Sequence, residues 1–332
     1  MKSAIADTYG GPEVMQLDDV PVPRVGPNGL LVRIHASSVN PVDWKLRKGL
    51  LRAVRDVRFP VIWGADLSGV VAEAGAAVTL FKPGDEVYGF KDGYVAKTYR
   101  GTYAEYAVVP ETALALKPAG LSHEEAASVP LAALTAWQAL VKQGRLKRGD
   151  RVLVHAGAGG VGIFAIQIAK AFGAYVAATA SSRNQDFLRE LGADLAIDYQ
   201  SQKLEEQGAS YNLVLDGVGK AVWRSSFAVL KPGGRLVSLL VPVPERPVGK
   251  LYFLAAAASQ IAIHTARALL SGKMLRFTMA KPRGGELEKI TALIEAGKIC
   301  PVVQQVYPLE QIAEAHRVSE AGHVRGKLVV RI

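Results

Sequence analysis

Cysteine is almost missing from this chain: among 332 residues there is one, Cys300. One thiol cannot close an intramolecular disulfide, and it cannot build a Cys-rich structural zinc site, which needs several thiolates. The chain suits a reducing compartment, and a cytoplasmic setting is expected. Dense runs of one charge are missing too. The net charge is +10, from 40 Lys and Arg against 30 Asp and Glu, yet the bases are spread out and no short motif interleaves them with aromatics. No nucleic-acid partner is expected; the basic balance reads as a solvated surface that attracts anionic cofactors. The first twenty residues carry Asp7, Glu13, Asp18 and Asp19 and no apolar run, so they do not read as a targeting peptide. An integral membrane span is not expected either. Residues 251–270 have about the right length for one, but Ser259, Gln260, His264 and Arg267 interrupt them, and alanine supplies much of the apolar count. They read as a well-buried helix of a nucleotide-binding domain, with peripheral attachment left open.

What is present is a composition ordinary for a globular protein, 49% hydrophobic and 21% charged, at a length that allows two domains. Residues 1–122 hold short alternating runs such as Leu30-Leu-Val-Arg-Ile-His35, separated by turn signals such as Pro83-Gly84-Asp85. That texture predicts a β-rich, barrel-like domain. Ser122-His-Glu-Glu125 is a capping-box pattern that opens a helix, and a second helix is expected near 132–143. Strands are then expected at 151–155, 175–180, 195–198, 211–216, 234–241 and 275–280, with helices between them. Six such strands fit an α/β, doubly wound parallel sheet. A helix at 285–296 and β texture at 302–306 and 327–332 end the chain.

The apolar strand 151–155 runs into Gly157-Ala-Gly159-Gly160-Val161-Gly162, and an apolar segment at helical spacing follows. A dinucleotide needs that order. Gly157 would allow the tight turn, Gly159 would let backbone approach the pyrophosphate, and Gly162 would let the helix lie close to the sheet. The first N–H groups of the helix then face the phosphates. An NAD site places an acid about twenty residues on, at the end of the second strand. Here that strand ends in Ser181-Ser182-Arg183, with no acid before Asp186. Two hydroxyls and a guanidinium suit a 2′-phosphate, so NADPH is the expected cofactor. The other reading of Ser181 is a helix cap over 184–191, with Arg183 in solvent.

These motifs, together with others spread over the whole chain, resemble the medium-chain dehydrogenase/reductase superfamily. The others are Val39-Asn-Pro-Val-Asp43, Gly64-Ala-Asp66, Lys82-Pro-Gly-Asp-Glu-Val-Tyr-Gly89, Gly101-Thr-Tyr-Ala-Glu-Tyr106, Leu131-Ala-Ala-Leu-Thr-Ala-Trp137, Leu191-Gly-Ala-Asp194, Ile197-Asp-Tyr199 and Gly326-Lys327-Leu-Val. The likeness is strongest to the zinc-free quinone oxidoreductase branch, with its zeta-crystallin-like, enone/alkenal reductase-like and reticulon-4-interacting-protein-like members. The resemblance implies a GroES-like catalytic domain, 1–122 completed by 282–332, and a Rossmann NADP-binding domain, 123–281, with the active site between them. Zinc-dependent relatives carry Cys and His as catalytic ligands where this chain has Asn40-Pro-Val-Asp43 and Gly64-Ala65-Asp66. No metal is therefore expected, and none of the six histidines shows ligand spacing.

Hydride transfer to a carbonyl builds charge on oxygen, which zinc would stabilise as a Lewis acid. Without it, a hydrogen-bond donor must serve, or the substrate must be electrophilic by itself. The expected function is accordingly an NADPH-dependent reduction of quinones or α,β-unsaturated carbonyls. The alternatives are a zinc-independent reductase of ordinary aldehydes and ketones, or a non-catalytic NADPH-binding protein. The resemblance implies Lys45 as the donor, Asp43 as its orienting group and Asn40 facing nicotinamide or substrate. A solvated Lys45 beside Arg47 and Lys48 and a turn-capping Asp43 are equally compatible. By the same resemblance Thr135 lies near the nicotinamide ribose or carboxamide, Tyr199 flanks the adenosine 2′-phosphate, and Lys327 approaches the cofactor. A buried helical Thr135, a packing Tyr199 and a solvent-edge Lys327 are the other readings. The last sheet strand, with Phe277-Thr-Met279, is expected to pair across a homodimer.

Overall fold

The computed structural model describes residues 1–332 except Val54, 92–99, Ala209 and 240–247. In chain order its strands and α-helices are β1 (Lys2–Ala6), β2 (Met15–Asp19), β3 (Gly29–Val39), α1 (Pro41–Arg47), β4 (Val61–Ile62), β5 (Asp66–Ala74), β6 (Glu86–Phe90), β7 (Tyr106–Pro110) and β8 (Leu114–Leu116). Next come α2 (His123–Ala127), α3 (Pro130–Trp137), β9 (Arg151–Val154), α4 (Gly160–Ala171), β10 (Tyr175–Ala180), α5 (Gln185–Glu190), β11 (Leu195–Asp198) and β12 (Tyr211–Asp216). The chain ends with α6 (Trp223–Val229), β13 (Leu230–Ser238), α7 (Lys250–Leu270), β14 (Met274–Phe277), α8 (Gly284–Glu295), β15 (Val303–Pro308), α9 (Ile312–Ala321) and β16 (Lys327–Arg331). The chain divides into two compact units: Met1–Leu134 with Lys281–Gly297 and Pro301–Ile332, and Thr135–Ala280 with Lys298–Cys300.

The first unit is β-rich. One sheet runs β2–β1–β4; a larger one runs β15–β16–β3–β5–β6–β8, with β7 also paired to β3. The alternating runs place Leu30, Val32, Ile34, Leu67, Val71 and Val87 in one core cluster. A second cluster gathers Trp63, Tyr103, Leu46 and Tyr307. The unit extends to Leu134, past 122, because α2 packs on β3 and β5. The capping box forms as its residues imply: Glu125 N donates to Ser122 Oγ at 3.2 Å, and Ser122 N donates to Glu125 Oε2 at 2.9 Å. Beyond α3 the expected second helix widens into a π-helical turn, Gln138–Gln143.

The second unit is a six-stranded, all-parallel sheet in the order β11–β10–β9–β12–β13–β14. Strands covered on both faces read as near-continuous apolar runs, as Val152–Val154 and Val176–Ala180 do. The strand order reverses between β9 and β12, the switch point where ligands bind in this architecture.

Three expectations need correction. The fifth strand starts at Leu230, not 234, because Lys231-Pro-Gly-Gly234 is carried inside the strand at a register irregularity; its expected end at 240–241 lies outside the described residues. The last strand stops at Phe277, short of 280. The third concerns α7, which is not well buried. Only Phe253, Ala257 and Ala268 on it are buried, while Leu251 is 85% and Leu270 90% exposed. A helix apolar on every side gives no sign of which face meets its domain; here one narrow stripe does, with His264 edge-on to Trp223 at 4.8 Å.

Candidate active and cofactor site

The second unit builds the dinucleotide half. After β9 the chain turns at Ala156, whose φ is 53°, so the tight turn rests on Ala156 and not on Gly157. Gly157 serves packing instead: a Cβ there would lie 2.8 Å from Leu188 Cδ2 and 3.0 Å from Ala178 Cβ. Gly162 is held against the turn, since its Cβ would sit 2.3 Å from the Ala156 oxygen and 2.6 Å from that of Gly157. Gly159 differs from both. It is the N-cap of α4, and a Cβ on it would meet one atom, the Ala156 oxygen at 3.4 Å. The space before the helix is therefore open, and the N–H groups of Gly160, Val161 and Gly162 have no acceptor within the helix. With no acid in the first turn of α4, that N-terminus favours an anion.

The ends of β10 and β11 lie side by side, with Ala180 opposite Asp198. This brings Ser181, Ser182, Arg183 and Tyr199 together. Ser182 and Arg183 are exposed, and Tyr199 is 63% exposed, so it is not a packing residue. Ser181 makes no capping bond; a 3-10 turn, Ser182–Asn184, intervenes before α5. An acid that the sequence did not single out adjoins this group. Asp198 accepts from Ser182 Oγ at 2.6 Å, from Ser201 Oγ at 3.1 Å and from Gln200 N at 3.0 Å. Those bonds, the Ser182 hydroxyl first, hold its carboxyl below the usual range. An NAD-type acid is expected at the end of β10, whereas this one ends the neighbouring strand. Deeper in the sheet, His155 is buried between Thr179 Oγ1 at 3.1 Å and Ser226 Oγ at 2.9 Å. Burial pushes its imidazole down to about 4. Thr135 is 7% exposed in α3.

The first unit holds the polar cluster. Asn40 caps α1, and Asp43 Oδ2 accepts from Asn40 N at 2.8 Å in a capping box. Asp43 also accepts from Tyr103 Oη at 3.2 Å. It serves the helix end rather than Lys45, which leaves the helix about 200° further round the axis. Asn40 does not face outward. Its Nδ2 donates to Asp66 Oδ2 at 2.8 Å, and its Oδ1 accepts from Lys327 Nζ at 2.6 Å. Asp66 further accepts from Ser38 Oγ at 2.6 Å and Leu131 N at 2.7 Å, and lies 3.5 Å from Lys327 Nζ. Lys327 is thus neither in solvent nor at a free edge; it is 3% exposed. Burial lowers its pKa, against the pull of Asp66 and Asp43. Tyr103 extends the network to the buried His316, with Nε2 at 3.2 Å. Neither Asp66 nor His316 stood out as a network member in the sequence, because their partners are distant along the chain. Lys45 is half-buried, its ammonium 5.4 Å from the Trp44 ring centre. Burial lowers its pKa. Among the described residues no group of three or more His, Cys, Asp and Glu has metal-binding geometry.

Two family models match the chain. Residues 26–119 match the alcohol dehydrogenase GroES-like domain, and residues 191–330 match the zinc-binding dehydrogenase family. The chain is 34% identical to the mitochondrial NAD(P)H oxidoreductase RTN4IP1 of Danio rerio, over 100% of this chain and 91% of that protein. It is 36% identical to the chloroplastic NADPH-dependent alkenal/one oxidoreductase of Arabidopsis thaliana, over 99% of this chain and 79% of that protein. The quinone oxidoreductase of Coxiella burnetii superposes with a TM-score of 0.86 at 34% identity, covering 100% of this chain and 99% of that one. With its GroES-like fold, six-stranded parallel sheet and relatives of this likeness, the chain belongs to the medium-chain dehydrogenase/reductase family, in its quinone oxidoreductase branch.

Proposed function

We propose that this chain is an NADPH-dependent oxidoreductase that transfers hydride to quinones or α,β-unsaturated carbonyls without zinc. The observation that carries the cofactor half is the open N-terminus of α4 at Gly159, with Ser181, Ser182, Arg183 and Tyr199 grouped at the adjacent strand ends. Arg183 and the Ser181 hydroxyl would hold the 2′-phosphate, joined by Ser182 once its hydroxyl leaves Asp198. Asp198 works against it, since its hydrogen bonds favour the charged carboxylate. The relatives' names support the same cofactor.

Residue chemistry supports the substrate half. Where zinc-dependent relatives carry Cys and His, this chain has Asn40 and Ala65. Asn40 and the adjoining Asp66 are both committed to the buried Lys327 ammonium. Without a Lewis acid, an electrophilic acceptor and a hydrogen-bond donor remain. Lys45 is that donor in this reading, its ammonium partly desolvated; Asn40, Asp43 and Lys327 shape the helix that presents it, and Thr135 contacts the cofactor. Among the described residues the sheet edge at β14 is unpaired, which supports a homodimer through strand pairing. A cytoplasmic setting belongs to the same reading, supported by the exposed free thiol of Cys300, although the named relatives above are mitochondrial and chloroplastic. The test is cofactor oxidation with NADPH and NADH against quinones, enones and simple aldehydes, with and without a chelator. Turnover of enones or quinones with NADPH, indifferent to chelator, supports the reading; turnover of simple aldehydes alone overturns it.

A further inference from the structure

Polar side chains stand at the carboxyl ends of the parallel strands. His155 follows β9, Asp216 ends β12, Ser238 ends β13 and Thr278 follows β14. His155 lies between two hydroxyls. Asp216 accepts from Trp223 Nε1 and Ser238 Oγ at 2.7 Å, and from Val218 N and Gly219 N at 2.8 Å. Thr278 differs. It is 6% exposed, and its Oγ1, shielded from water, meets no hydrogen-bond partner. Among the described residues it is the one buried hydroxyl so placed. Buried hydroxyls are almost always bonded, and leaving one alone costs stability. A partner that arrives with a ligand accounts for it.

Position points to the ligand. The β13–β14 ladder closes with Ser238 opposite Phe277, and Thr278 N donates to Ser238 O at 3.1 Å. Thr278 thus stands one residue beyond the ladder, at the sheet edge where ligands bind in this architecture. Met279 is next and 62% exposed, so Thr278 is the last buried residue before the chain emerges. A turn about χ1 exchanges its hydroxyl and methyl, which brings the hydroxyl to a group laid on that edge. The direction of the dinucleotide follows from its other contacts. Ser181 and Arg183 stand at the end of β10 beside β11, and Gly159 follows β9. On the far side of β9 the sheet continues through β12, β13 and β14. Strand spacing puts β13 and β14 about 10–14 Å beyond β9, the side left for the nicotinamide. Its carboxamide offers a carbonyl acceptor and amide donors, and a threonine hydroxyl serves either. Granted the cofactor site proposed above, we infer that the Thr278 hydroxyl hydrogen-bonds the nicotinamide carboxamide and so fixes the ring at the sheet edge. Pairing of β14 with a second copy would engage main-chain groups and leave this side chain to the cofactor.

The test is isothermal titration of the full chain with two ligands: NADPH, and 2′-phospho-ADP-ribose, which has the same adenosine and phosphate groups but no nicotinamide. Thr278→Val keeps the side-chain shape and removes the hydroxyl. It should weaken NADPH binding about tenfold and leave 2′-phospho-ADP-ribose unchanged. Thr278→Ser should bind both like the wild type. Without ligand, Thr278→Val should melt at or above the wild-type temperature, because an unpaired buried polar group is gone. Unchanged NADPH affinity in Thr278→Val overturns the inference, as does an equal loss for both ligands. A lower melting temperature would make the hydroxyl part of the fold's own bonding and overturn it too. A wild type that binds neither ligand would overturn the cofactor site itself, a result distinct from these.

Discussion

Two alanine substitutions on one turn separate folding from cofactor binding. Gly159 has φ −81° and ψ 172°, a conformation alanine adopts freely, and its new Cβ would touch only the Ala156 oxygen at 3.4 Å. Gly159→Ala should therefore fold as well as the wild type, or gain about 0.4–1 kcal/mol from a stiffer unfolded chain. The methyl group would, however, stand in the open space before α4, where a pyrophosphate must approach the N–H groups. Losing a charge-assisted hydrogen bond there costs about 1.5–3 kcal/mol, roughly ten- to a hundredfold in Kd. Gly162→Ala should do the opposite. Its Cβ would fall 2.3 Å from the Ala156 oxygen and 2.6 Å from that of Gly157, both backbone atoms that cannot swing aside. Overpacking of that kind costs about 1–3 kcal/mol, and each kcal/mol lowers Tm by about 2–4 °C in a domain of this size. Fluorescence titration with NADPH and thermal melts of both variants read the two effects. If Gly159→Ala binds NADPH like the wild type, the pyrophosphate does not sit at this helix; if Gly162→Ala keeps the wild-type Tm, the contact of α4 with the turn is not as tight as described.

Arg183→Ala should reduce the preference for NADPH over NADH by about ten- to a hundredfold, while Asp198→Asn should raise NADPH affinity; titration of both cofactors checks the pair, and an unchanged preference in Arg183→Ala removes it from the 2′-phosphate site. Lys45→Met should cut enone turnover by about a hundredfold and leave NADPH affinity unchanged, with reactive quinones affected less. Because burial lowers the Lys45 pKa from 10.5, wild-type enone turnover should fall with rising pH before that value is reached; a profile that Lys45→Met does not alter would make Lys45 a bystander. His155 is held neutral at about 4, below its ordinary 6.5. Between those values only the unfolded chain takes up the proton, so stability should fall as the pH drops through that window, and be unaffected by this group above 6.5. Urea unfolding at both ends of the window, with His155→Gln as the control that loses this slope, measures it.

The dinucleotide unit was legible because its signals are local. Gly159 and Gly162 lie within one turn, and the strands at 175–180, 195–198 and 211–216 fall where their apolar runs and turn residues put them. What could not be read was set by tertiary packing. Lys327 looks like any strand lysine until Asn40 and Asp66, far away in the chain, close on its ammonium. Asp198 meets Ser182 only because β10 and β11 are neighbours in the sheet. For α7 the pattern itself was uninformative: apolar residues on all sides leave the buried stripe to be chosen by Trp223 and β14, and the rest of the helix faces solvent.

The most direct measurement follows the hydride itself. NADPH carrying deuterium at both C4 positions of the nicotinamide is incubated with the protein and an enone, and the product is analysed by mass spectrometry and NMR. One deuterium per product molecule, at the β-carbon, is expected. Product whose β-hydrogen comes from solvent, or NADPH bound without any reduced product from enones or quinones, would contradict the proposed reaction.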